Sequence, residues 1–336
     1  MLSKVNKLFL LISVSFFIFT KNVFGKTNRI AGGKEAEKGQ FPFFAQLIVG
    51  QKLENQSLEL SRCGGTLIQP KWILTAAHCF NSSTVVPPEM YEKNLVRAFM
   101  GSIKVIHAMD DKNFIIRDVK KAYLHTNYSY KYENGSDYVA NDVALALLKK
   151  PFSLTLYVRT IQLPDESTKL CESGVVIGGG SVGFAKEKDK IIKYAFVNTL
   201  NIDQISVKPV LRNRTVFFSE IRQFQGHPLK GDSGGPFVCS GKIGPIQYGI
   251  ISNIYNNTEQ ETLITEYESV DKYLGFIKSI LAKRVMRSEY KKHQSQRKRV
   301  IPRNNSKILS TISRTSSAVT LSCVSFHIAL PLLYKL

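Results

Sequence analysis

The sequence predicts an all-β protein ending in one helix, and three observations carry that prediction. Of its 336 residues, 43% are hydrophobic and 21% charged, a globular composition that excludes disorder throughout. Between residues 30 and 282 the apolar runs are short and mostly separated by turn-forming residues, as in a barrel or sandwich. Only the end of that stretch has helical spacing. In chain order the strand candidates are Phe43–Val49, Gly65–Ile68, Leu95–Phe99, Phe114–Ile116, Val143–Leu148, Val175–Ile177, Tyr194–Val197, Phe237–Cys239, Tyr248–Ile251 and Leu263–Ile264. Val270, Leu274, Ile277 and Leu281 then recur at spacings of four, three and four, which puts them on one helix face. The sequence contains no internal repeat, glycine-rich phosphate loop or zinc-spaced Cys/His cluster.

The net charge of +20 sits at the ends of the chain. Residues 283–336 carry 12 Lys/Arg against one acid, Glu289, and residues 1–29 carry five Lys/Arg and no acid, which leaves +4 for residues 30–282. A nucleic-acid domain concentrates positive charge on its folded part, so the nearly neutral body argues against that partner. At the N-terminus, Lys4 and Lys7 precede the apolar run Leu8–Phe19 and the small-residue site Val23-Phe24-Gly25, the pattern of a secretory signal peptide over residues 1–25. As a helix that run would reach only about 18 Å, short of the roughly 30 Å of a bilayer core. Secretion makes disulfides expected and turns Asn55, Asn81, Asn127, Asn134, Asn213, Asn256 and Asn304, each in an Asn-x-Ser/Thr sequon, into candidate glycan acceptors.

Three segments carry the chemistry: Leu74-Thr75-Ala76-Ala77-His78-Cys79, Asn141-Asp142-Val143-Ala144-Leu145 and Gly231-Asp232-Ser233-Gly234-Gly235-Pro236. A serine hydroxyl becomes a nucleophile when a histidine takes its proton, and that histidine needs a carboxylate to fix its tautomer. Gly231 lets the backbone approach a substrate carbonyl, so the amides of Gly231 and Ser233 can point at a developing oxyanion.

With these segments in the order His, Asp, Ser, residues 30–282 resemble a trypsin-like serine protease domain. Arg29-Ile30-Ala31-Gly32-Gly33 is similar to the family's activation junction, Cys63-Gly64-Gly65-Thr66-Leu67 precedes the histidine as in the family, and Ser252 falls where the family has a serine beside the aspartate. The resemblance implies two six-stranded antiparallel β-barrels with the active site between them, followed by the helix. It implies His78 as general base, Asp142 as its orienting carboxylate and Ser233 as nucleophile, with no metal or organic cofactor. It also implies a propeptide over residues 26–29, with cleavage after Arg29 freeing the Ile30 amine to pair with Asp232. Five cysteines leave one over, and by resemblance Cys63 pairs with Cys79 and Cys171 with Cys239, leaving Cys323 in the tail.

Substrate preference is read from departures. Six residues before the nucleophile, at the base of the family's specificity pocket, stands His227, where cleavage after Lys or Arg requires an aspartate. His227 either contacts a polar or acidic substrate side chain or fills a closed pocket. Ile254 and Thr262 stand as pocket walls where deep-pocketed enzymes have glycines, and Asn253 replaces a tryptophan that lines the adjacent subsites. The expected partners are therefore a protein or peptide substrate, a trypsin-like activating protease and a protease inhibitor, with a monomer as the default. The tail 283–336 reads as solvated and basic, with contact to anionic glycans or a membrane as its functional alternative. Its apolar end Val319–Tyr334 has 16 residues, short for a spanning helix. A catalytically silent homologue acting as a binding or immune-modulating protein is the competing reading of the whole.

Overall fold

A computed structural model describes residues 30, 32–52, 57–81, 86–106, 112–133, 136–180, 191–206, 215–222 and 226–282. The expected signal peptide, residues 26–29 and the residues beyond Ala282 lie outside the described residues, as do Asn55, Asn134, Asn213 and Asn304. By its contacts the chain divides into residues 1–281 and 282–336.

The short strand β1 (Lys34–Glu35) precedes β2 (Phe44–Lys52), β3 (Leu58–Gln69) and β4 (Trp72–Thr75). A one-turn helix α1 (Pro88–Glu92) leads into β5 (Val96–Met100), β6 (Ile115–Leu124), the hairpin β7 (Ser129–Glu133) and β8 (Ser136–Ala140), and β9 (Ala144–Leu148). Six of these close a barrel in the order β2-β3-β4-β9-β6-β5. Strand β9 reads as an unbroken apolar run rather than an alternating one because it is covered on both faces: all five residues are buried, in one core with Leu47, Leu67, Ile73 and Val119.

The remaining strands are β10 (Ser173–Gly178), β11 (Lys193–Asn198), β12 (Val216–Arg222), β13 (Pro236–Gly241), β14 (Gly244–Asn257) and β15 (Thr262–Ser269). They form a seven-stranded sheet ordered β1-β11-β10-β13-β14-β15-β12. This sheet is the second barrel of the expected pair, present as a half-barrel beside the closed first one. Between β11 and β12 the only ladder element among the described residues is the isolated bridge Leu200↔Phe218, with N···O distances of 2.7 and 2.8 Å. One bridge draws the edges together without making a continuous ladder. Phe217, Phe237 and Tyr267 cluster in the core of this half, with centroids 5.0–5.3 Å apart and Phe217 stacked on Tyr267.

The expected terminal helix is present as a 3-10 turn, Val270–Tyr273, running into α2 over residues 274–282. Val270 and Ile277 are buried, and Leu274 and Leu281 pack at the edge of the first barrel's core. Five strands escaped the sequence reading: β1 has two residues, β4 only four, β7 and β8 are polar, and in β12 the buried residues Phe217 and Phe218 are followed by charge.

Candidate active site

The site forms where the two sheets meet. His78 follows β4 and Asp142 precedes β9 in the first barrel, while Ser233 precedes β13 in the second sheet. The Ser233 carbonyl accepts the Gly64 N–H at 2.8 Å, which ties the serine turn to β3. Thr75 donates its hydroxyl to the Gly64 carbonyl at 2.7 Å, so the histidine strand is anchored to the same residue. The Cys63–Cys79 disulfide, Cα to Cα 6.3 Å, fastens β3 to the residue after His78. In the second sheet Cys171 and Cys239 are bonded.

Asp142 is fully buried and its carboxylate is saturated. Oδ2 lies 2.6 Å from His78 Nδ1 and accepts the Ser252 hydroxyl at 2.7 Å, while Oδ1 accepts the His78 backbone N–H at 2.7 Å. Gripping both the ring and the main chain of His78 fixes the ring's orientation. Asn141, with φ +52°, makes the turn that presents Asp142. Ser252 reaches the carboxylate because β14 is bulged: the register against β15 shifts between Ile251 and Asn253, so Ser252 is the extra residue and its side chain is re-aimed.

Around the serine, Gly231 has φ +96° and Gly234 φ +78°. A Cβ at Gly234 would come within 2.2 Å of Thr75 Oγ1, so this turn tolerates glycine alone. Asp232 is buried; Oδ1 accepts the Gly180 N–H at 2.6 Å and Oδ2 the Leu229 N–H at 2.8 Å. Ile30 is wholly buried in the core of the second sheet, with Val176, Ala195 and Val197. Arg29 lies outside the described residues.

His227 is 2% exposed, its Nδ1 has no hydrogen-bond partner among the described residues, and burial pushes its pKa down to about 4. It is a neutral imidazole at neutral pH. Ile254 is cross-strand from Thr265, while Thr262 lies three residues earlier, opposite Asn257, with its hydroxyl donated to Glu220. Thr265 is thus the residue facing Ile254, a displacement of three positions from Thr262. Asn253 pairs with Glu266.

The sequence reading missed the acids behind the triad. Glu266 and Glu268 are both buried, on one face of β15 and opposite in sense to Tyr267. Burial pushes Glu266 up to about 8 and Glu268 up to about 7. Their signal was present: two acids spaced by two in a strand otherwise suited to burial. The Sγ atoms of Cys63 and Cys79 and a ring nitrogen of His78 lie within 4.8 Å of one another, but the disulfide consumes both thiols and leaves no thiolate donor for a metal.

Fold and site together define a chymotrypsin-fold protein with a histidine–aspartate pair and a glycine-framed serine. The Trypsin family description matches residues 30–277, and the chain belongs to the trypsin-like serine protease family. It is 28% identical over 264 residues to Kallikrein 1-related peptidase b1 of Mus musculus, spanning 76% of this chain and 90% of that protein. It is 25% identical to Chymase of Cavia porcellus over 276 residues, 81% of this chain and 98% of the relative. Identity to Urokinase-type plasminogen activator of Gallus gallus is 30% over 277 residues, 76% of this chain but 58% of that longer protein. Among the described residues no helix is long and apolar enough to cross a membrane.

Proposed function

We propose that the chain is a secreted serine endopeptidase, made as a zymogen and activated by cleavage after Arg29, whose preference differs from cleavage after Lys or Arg. The observation that carries this reading is the Asp142 carboxylate, which holds both the Nδ1 and the main-chain N–H of His78 while Ser252 caps it. His78 takes the Ser233 proton through Nε2, the serine oxygen attacks the peptide carbonyl, and the amides of Gly231 and Ser233 receive the oxyanion. His78 then returns the proton to the leaving amine, and water repeats the sequence on the acyl-enzyme. Cleavage after Arg29 frees the Ile30 amine, whose charge competes for Asp232 with the amides that now occupy it. His227 supplies no fixed negative charge, so a substrate cation has no counter-ion at the pocket base, and activation falls to a separate trypsin-like protease.

The test is covalent labelling by a fluorophosphonate of the full chain cleaved after Arg29, beside the uncleaved chain and a Ser233→Ala control. Labelling is expected in the cleaved wild type alone. Absence of labelling in a folded, cleaved chain sinks the enzymatic reading and leaves the binding-protein alternative.

A further inference from the structure

Directly behind Asp142 stands a second buried carboxylate. Glu268 Oε1 accepts the backbone N–H of Asp142 at 2.8 Å. Its other oxygen, Oε2, accepts the hydroxyl of Tyr273 and, at 3.2 Å, that of Thr215. Glu268 is 0% exposed, so these three donors replace its water. All three donate and none accepts, an arrangement that suits the ionised carboxylate. The residue is 126 positions from Asp142 in sequence and is brought there by β15, whose end continues into the turn bearing Tyr273.

We propose that Glu268 is a positioning residue for the active site: it fixes the main chain of Asp142 and adds a second buried negative charge behind the Asp142–His78 pair. This rests on the reading of His78 as general base. Asp142 has the two constraints it needs to hold His78, a carboxylate engaged from the front and a main chain engaged from behind. The added charge stabilises the imidazolium that forms when His78 takes the serine proton, because a buried charge is poorly screened. Burial pushes Glu268 up to about 7 against the pull of its hydrogen bonds. It therefore carries its charge above about pH 7. The other titratable groups facing this cluster are Glu266 on β15, Tyr255 on β14, which donates to Glu266, Tyr273 in the 3-10 turn, and His125 after β6, whose ring packs edge-on against Tyr273 at 5.3 Å. Burial lowers the His125 pKa, so that ring is mainly neutral where Glu268 is charged.

Glu268→Gln tests the charge without changing the shape, since the amide oxygen still accepts the Asp142 N–H. The pKa of the His78 imidazole is read by NMR titration of the cleaved full chain in a Ser233→Ala background, assigned by loss of the signal in His78→Ala. Removing the negative charge is expected to lower it by about half a unit or more. Tyr273→Phe, which takes away one donor and leaves the carboxyl, is expected to lower it by a smaller amount. A His78 pKa unchanged within about 0.2 units in both variants overturns the proposal, because a merely structural glutamate predicts that result. This readout needs no turnover. In parallel, the pH profile of fluorophosphonate labelling should shift its acid limb to lower pH in Glu268→Gln. Unlabelled wild type defeats the protease reading while the titration still decides the role of Glu268.

Discussion

A single buried carboxyl can reverse the usual relation between pH and stability. Glu266 is 4% exposed and accepts the Tyr255 hydroxyl at 2.8 Å, yet burial raises its pKa from an ordinary 4.5 to about 8. The folded chain therefore holds that proton more tightly than the unfolded chain. Its contribution is complete below about pH 4.5 and is lost as the pH rises through about 8. His227 works in the opposite direction: its folded pKa of about 4 lies below the ordinary 6.5, so its contribution is present above 6.5 and lost as the pH falls through 4. Glu266→Gln keeps an acceptor for Tyr255 and cannot ionise. Its stability relative to wild type, measured by urea unfolding, is expected to improve by roughly 2–4 kcal/mol between pH 5 and pH 9. A difference that stays flat across that range would show that Glu266 is not buried as an acid.

The strand pair β14–β15 surrounds Asp142, with Ser252 from one strand and Glu268 from the other. The bulge at Ser252 aims a hydroxyl at Asp142, and past it the register brings Ile254 opposite Thr265. Ile254→Gly is expected to raise kcat/KM for peptides with a large apolar residue before the scissile bond, relative to those with alanine, by about tenfold or more. An unchanged ratio in a peptide series would mean that Ile254 does not wall the pocket. The pocket was only partly legible in the sequence. His227 follows from counting back from the serine within one turn. The residue opposite Ile254 requires the register of β15, which puts Thr265 there and Thr262 opposite Asn257, and a short apolar run does not specify that pairing.

At the scale of the fold, two sheets of unequal closure each carry one disulfide. The first barrel closes through its own ladder, whereas the second sheet leaves β11 and β12 joined by one bridge. The Cys171–Cys239 disulfide spans 68 residues of that open half, including the serine turn. Replacing both cysteines by serine is expected to cost about 4 kcal/mol in the chain-entropy model, observed as a lower Tm. Loss of fluorophosphonate labelling should accompany partial opening of this sheet before the first barrel unfolds, which hydrogen exchange would resolve. Protection lost equally in both halves would contradict the idea that the open half depends more on its disulfide.

By itself the sequence determined the all-β class, the terminal helix stripe and the reactive groups. Those features are local: a glycine turn frames Ser233, an Asn-Asp turn presents Asp142, and Val270, Leu274, Ile277 and Leu281 share a face by spacing alone. Only the tertiary structure decided what stands behind the reactive groups. The charge state and partners of a buried acid depend on strands distant along the chain, as with Glu268 and Asp142, 126 residues apart. Closure of a sheet depends in the same way on pairing between remote edges. The alternation of β15 says that Glu266 and Glu268 share a face, but only packing against Asp142, Tyr255 and Tyr273 makes that face interior.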